Sequence, residues 1–123
     1  MISAEDAIAA HGRQIQRFGG LPGLRDARAL DAALNSPWQS FGGVELYPSD
    51  AEKAARLAFE IISQHPFNDG NKRCGLVLLV SFMRQRGHRF EPRHDELYDA
   101  VLGVADGSLG YEDLLAFVEG NAG

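Results

Sequence analysis

Apolar residues recur along most of this chain every three or four positions, the spacing of one face of a helix. Ser3 followed by Asp6 reads as a helix start with acid in the first turn, and Ile8, His11, Ile15 and Phe18 then follow at helical intervals until Gly19-Gly20. Leu21 to Arg25, with Pro22 and Gly23, is a connector. A shorter helix starts at Asp26 and carries Ala29, Leu30, Ala33 and Leu34 on one face, and Asn35-Ser36-Pro37 stops it. Ser49 or Asp50 caps a third helix to about Gln64, with Ala54, Leu57, Ala58, Ile61 and Ile62 inward. A fourth, from about Asn71 to Gln85, is apolar over most of its circumference and should be central. Asp95 to about Ala105, bearing Leu97, Val101, Leu102 and Val104, and Tyr111 to about Glu119 complete six helices. The expected fold is an all-α, single-domain bundle over residues 1–123.

One segment breaks the period. From Trp38 to Pro48 the glycines Gly42-Gly43 stand between Gln39-Ser40-Phe41 and Val44-Glu45-Leu46-Tyr47, the pattern of a small β-hairpin or flap near residues 39–47. Its aromatics either face a partner or pack back onto the core.

Composition narrows the class without naming a function. The chain has 123 residues, 45% hydrophobic and 24% charged, enough for one core. A net charge of -5 argues against broad binding to nucleic acid. One cysteine, Cys74, leaves no internal disulfide, and nothing around it marks it as reactive. No apolar run is long enough to span a membrane and the first residues lack a secretory pattern, so a cytoplasmic protein is expected.

The chemistry concentrates between the third and fourth helices, in His65-Pro66-Phe67-Asn68-Asp69-Gly70-Asn71-Lys72-Arg73. A polar loop that opens a helix aims free backbone N–H groups and the positive dipole end at an anion. His65, at a helix end that Pro66 prevents from continuing, is either a general base or a histidine on the free terminal carbonyls. Asp69 is either a Mg²⁺ ligand or the N-cap of the next helix. Gly70 permits close approach of a ligand to the backbone, and Asn71, Lys72 and Arg73 bring donors to the helix start. Cations there oppose the macrodipole and cost stability unless an anion is bound.

These nine residues resemble the signature of the Fic/Doc superfamily, and specifically its death-on-curing (Doc) branch. Phe18-Gly19-Gly20, Gly23-Leu24-Arg25-Asp26, Tyr47-Pro48, Lys53-Ala54-Ala55 and Gly87 resemble that branch in the same order. Fic adenylyltransferases resemble His-x-Phe-x-Asp/Glu-Gly-Asn-Gly-Arg-x-x-Arg. Here Lys72 replaces the second glycine, and Leu76 stands where the second arginine would be.

The resemblance implies a toxin kinase. It would transfer the γ-phosphate of ATP, with Mg²⁺, to a hydroxyl of a translation factor such as elongation factor Tu, and an antitoxin of the Phd type would suppress it. His65 would be the base, Asp69 would hold Mg²⁺ or orient the loop, and Gly70 and Asn71 would line the phosphate cradle. Lys72 and Arg73 would neutralise the transferring group. Phe41, Gly42, Gly43, Val44 and Tyr47 would form the flap that docks the target. The alternatives are AMPylation, against which Lys72 and Leu76 count, and a binding module without catalysis. Ser108 and Glu112 have the spacing of a Fic inhibitory helix, but Asp113 follows them, so inhibition in trans is expected.

Overall fold

The computed structural model describes residues 2–122. Six helices follow in order: α1 (Ala4–Phe18), α2 (Ala27–Asn35), α3 (Asp50–Gln64), α4 (Asn71–Gln85), α5 (His94–Asp106) and α6 (Tyr111–Asn121). A turn of 3₁₀-helix, Ser36–Trp38, extends α2. Strands β1 (Ser40–Phe41) and β2 (Val44–Glu45) form a two-stranded antiparallel sheet with Ser40 opposite Glu45 and Phe41 opposite Val44.

Local side-chain chemistry starts three of these helices. Ser3 accepts from the Asp6 N–H while Asp6 reaches back to the Ser3 N–H, and Ser49 and Glu52 repeat the reciprocal pair at α3. Asp26 accepts from the Ala29 N–H at the start of α2. In the hairpin, Gly42 and Gly43 have φ of 58° and 81°. Positive φ at both central residues is the type I′ turn, whose twist suits a tight hairpin.

The core lies between α3 and α4, which share the most extensive of the helix interfaces. Ile61, Ile62, Leu79 and Met83 are fully buried there. Gly75 permits the approach, since a Cβ at this position would lie 2.7 Å from Ile62 Cγ1. Helices α1, α3 and α5 all pack on α4, so the apolar fourth helix is central as its sequence implies. Phe90, in the link before α5, is buried and accepts hydrogen bonds from the Arg84 guanidinium through its carbonyl.

Two expectations need correction, and one left open is resolved. Ile8 and Phe18 share the helical spacing of α1 yet are 45% and 50% exposed, because the small residues Ala7 and Ala10, with His11, make the close contact. Leu102 is also exposed, on the outer side of α5. In the hairpin the aromatics divide. Trp38 packs near Phe82 and Tyr47 meets Tyr111 edge-on, whereas Phe41 is 83% exposed beside exposed Val44 and Leu46.

Candidate active site

The loop from His65 to Gly70 is held from both sides. Helix α3 ends at His65, whose φ of 51° makes it the one left-handed residue other than glycine among those described. On the next stretch Leu24 bridges Phe67, the Asn68 N–H donates to the Gly23 carbonyl, and the Asn68 amide donates to the Pro22 carbonyl. The connector before α2 is thus laced to the loop like a second strand. Arg25 adds its guanidinium, donating to the carbonyls of His65 (2.7 Å) and Gln64 (2.8 Å).

From inside, Phe67 anchors the loop in the core, as its apolar character among polar neighbours implies. His11 stacks on it with ring centroids 3.9 Å apart, and His11 Nε2 lies 2.7 Å from the Asp69 carbonyl oxygen. A carbonyl only accepts, so Nε2 carries the hydrogen. The Asn71 side chain closes the same segment, accepting from the Phe67 N–H and donating to the Phe67 carbonyl, both at 3.0 Å. Asn71 is buried, so it braces the loop with its side chain and can offer the cradle only its backbone N–H.

Asp69 does not cap α4. The N-cap is Gly70, left-handed and without a side-chain bond to the helix. The carboxylate instead accepts from the Gly70 N–H (2.9 Å) and from the Leu21 N–H (3.1 Å). These bonds, Leu21 first, hold its pKa below the ordinary carboxylate value, helped by Lys72 and His11 nearby. Asp69 is therefore ionised at neutral pH. Gly20 is required beside it, because a Cβ there would stand 2.9 Å from Asp69 Oδ2 and its φ is +117°.

A pocket of about 180 Å³ opens at the start of α4, lined by Phe18, Gly19, Asp69, Gly70, Asn71, Lys72, Arg73 and Tyr98. The Arg73 guanidinium carbon lies over two rings, 3.8 Å from the Phe18 centroid and 5.2 Å from that of Tyr98. Lys72 is exposed at the mouth. Neither cation has an ion-pair partner among the described residues. An uncapped helix start, two free cations and one ionised carboxylate thus face one small space.

The structure brings together Asp69, Gly70, Asn71, Lys72 and Arg73. His65 is exposed at the other end of the loop and does not line this pocket, and neither does the hairpin. Leu76 faces the core one turn further along α4. Ser108 sits in the turn between α5 and α6, bonding Asp106 and Gly103, and takes no part in the pocket. Cys74 is buried, which pushes its thiol up to about 12 and leaves it inert. Among the described residues no cluster of three or more histidine, cysteine or acidic side chains could hold a metal. Any metal here would rest on Asp69, whose two oxygens each spend one lone pair on a backbone N–H and keep another. One carboxylate suits Mg²⁺ held mainly by nucleotide phosphates.

Sequence reasoning gave no site role to four residues that build this site: His11, Phe18, Arg25 and Tyr98. Each lies far along the chain from the loop. Phe18 and Arg25 did stand in the segments that carry the resemblance, and His11 stood among the apolar positions of α1, whereas Tyr98 gave no signal.

The hairpin has its own anchor. Lys53 is buried, and its ammonium donates to Glu45 Oε1 (2.9 Å) and to the Tyr47 carbonyl while lying 5.1 Å from the Trp38 ring. Arg56 lies among Tyr47, Phe59 and Tyr111, each centroid within 5.3 Å.

Comparison with known proteins identifies the family. A family model described as "Fic/DOC family" matches residues 1–83. "Protein kinase doc" of Escherichia phage P1 is 33% identical over 108 residues, spanning 88% of this chain and 84% of that protein. "Toxin Doc" of Mycolicibacterium smegmatis (strain ATCC 700084 / mc(2)155) is 37% identical over 70 residues, 57% of this chain and 54% of that protein.

Proposed function

Because the chain belongs to the Fic/DOC family, on its Doc branch, we propose that it is the toxin of a toxin–antitoxin pair and acts in the cytoplasm as a protein kinase. It transfers the γ-phosphoryl group of ATP to a serine or threonine hydroxyl of a translation factor resembling elongation factor Tu. The observation that carries the reading is the pocket at the start of α4, where the unpaired cations Lys72 and Arg73 meet the ionised carboxylate of Asp69.

His65 takes the proton from the target hydroxyl as its oxygen attacks the γ-phosphorus. The bond from that phosphorus to the β–γ bridging oxygen breaks, ADP leaves, and the proton stays on the imidazole. Lys72 and Arg73 offset the charge on the transferring group, aided by the backbone N–H groups of the uncapped helix start. Arg73 enters this role already placed, since its guanidinium carbon lies over the rings of Phe18 and Tyr98. Asp69 would hold Mg²⁺, which when bound neutralises phosphate charge. The exposed strand edges at Phe41 and Val44 dock the target segment by strand addition.

AMPylation is the weaker reading. A second cation one turn along α4 would be needed to grip a triphosphate in the Fic manner, and Leu76 there packs on the core. An antitoxin of the Phd type inhibits in trans. Its segment, helical when bound, would lie in an apolar groove beside the active site and block access to it; the groove of about 280 Å³ lined by Ile8, Ile15, Pro22, Leu24 and Phe67 supports this reading. Incubation of the protein and cell lysate with ATP labelled at the γ- or the α-phosphate tests the reaction. Label from γ alone supports the kinase, label from α supports AMPylation, and label from neither supports a binding module. Undiminished activity with excess cognate antitoxin would contradict inhibition in trans.

A further inference from the structure

We infer that Arg25 is a positioning residue for His65: its guanidinium, fastened to the last carbonyls of α3, holds His65 in the left-handed conformation that turns the chain into the loop. The inference rests on the proposed role of His65 as the base, and adds to it the group that aims the imidazole.

The need for such a group follows from the sequence. A helix that ends on a left-handed residue is ordinarily fastened by N–H groups of the residues just past its end, which bond back to carbonyls of the last turn. Here the residue after His65 is Pro66, which has no N–H to give. The left-handed residue is also a histidine, with a Cβ that disfavours this conformation. An unsupported exit of this kind would relax and take the imidazole with it.

Arg25 supplies the missing donors from outside the helix. Its Nε lies 2.7 Å from the His65 carbonyl oxygen and its Nη2 lies 2.8 Å from that of Gln64. One planar fork thus grips two successive carbonyls, whose peptide planes meet at the His65 Cα, and so constrains φ and ψ of His65. A cation at a helix C-terminus is also favoured by the macrodipole. The fork is itself anchored, because the N–H groups of Arg25 and Asp26 both donate to the Pro66 carbonyl, at 2.8 and 3.0 Å. Arg25 therefore grips the chain on either side of the His65–Pro66 bond. No hydrogen bond to the His65 imidazole is present among the described residues, so the hold on His65 comes through its backbone, which places the Cβ from which the ring projects.

The test compares wild type, Arg25→Ala and Arg25→Lys. Each is read by backbone NMR shifts at residues 63–70 and by initial rates of γ-label transfer against ATP concentration. The expected result for Arg25→Ala is loss of the left-handed signature at His65 and a maximal rate lower by about tenfold or more, with the KM for ATP changed by less than about twofold. Arg25→Lys, with one cation but no fork, should fall between the two; it also serves if the alanine variant does not fold. A folded Arg25→Ala protein that keeps the His65 signature and the wild-type rate would overturn the inference. So would a loss confined to the KM for ATP, which would put Arg25 on the nucleotide. If wild type transfers no label, the base assignment fails, and the NMR comparison still decides whether Arg25 holds His65.

Discussion

His11 Nε2 lies 2.7 Å from the carbonyl oxygen of Asp69, across 58 residues of sequence, and the same ring stacks on Phe67. A buried side chain of α1 thereby sets the height of the loop that carries the acidic group. His11→Ala should remove both the bond and the stacked face, and cost about 2–4 kcal/mol in chemical denaturation. His11→Asn, which keeps a donor, should cost less. Equal stability of the alanine variant and wild type would remove His11 from the loop's support.

Lys53 ties the hairpin to α3 through Glu45 and the Tyr47 carbonyl. In Lys53→Met the apolar stem remains, so global stability should change by no more than about 1 kcal/mol. The hairpin should loosen all the same. Hydrogen exchange should quicken at the Leu46 amide, which donates to the Gln39 carbonyl, while amides of α4 keep their protection. Uniform protection across both would mean that the hairpin holds itself.

Asp50 joins the start of α3 to the segment after α4, accepting from His88 Nε2 at 2.7 Å and from Arg86 Nε at 3.0 Å. The His88 bond first, and then Arg86, hold its carboxyl below the ordinary value. The unfolded chain therefore binds the extra proton between the two pKa values, and folding stability rises with pH across that window. The clamp's contribution is complete above the ordinary carboxylate pKa of about 4 and is lost as pH falls through the lower, folded value. The Tm difference between wild type and Asp50→Asn should be clear at about pH 6 and shrink below about pH 3. A difference that grows on acidification would contradict the assignment.

Lys72 and Arg73 should separate by their surroundings. Lys72 is exposed, so Lys72→Ala should leave Tm almost unchanged while lowering transfer on the order of tenfold or more. Arg73 is clasped by Phe18 and Tyr98, so Arg73→Ala should lose transfer together with about 0.5–2 kcal/mol of stability. Thermal melts beside rate measurements check both. A Lys72→Ala protein as active as wild type would exclude that cation from the transfer.

What the sequence made legible was local. Ser3, Asp26 and Ser49 each bond an N–H three residues on, so their helix starts can be read from a few letters. Gly42-Gly43 likewise specifies its own turn. The loop's residue types pointed to the uncapped helix start that the structure shows, because helix-start chemistry depends on neighbours in sequence. The supports of that loop could not be read this way, since Arg25 and His11 reach it across 39 to 58 residues and only the packed fold brings them there. Asp69 shows the limit within the loop itself. A helix cap fits its position by sequence, and the carboxylate is drawn instead to the Leu21 N–H, 48 residues away. The exposed Ile8 and Phe18 have a related cause: their spacing marks a helix, but small residues on the neighbouring face pack closer.

The central claim is that this loop moves a phosphoryl group with His65 as base. The most direct measurement is the intact mass of the modified lysate protein after incubation with ATP, Mg²⁺ and either wild type or His65→Ala. The account predicts the gain of one phosphoryl group with wild type and no gain with a folded His65→Ala protein. Gain of an AMP group, or the same phosphoryl gain from both proteins, would contradict it.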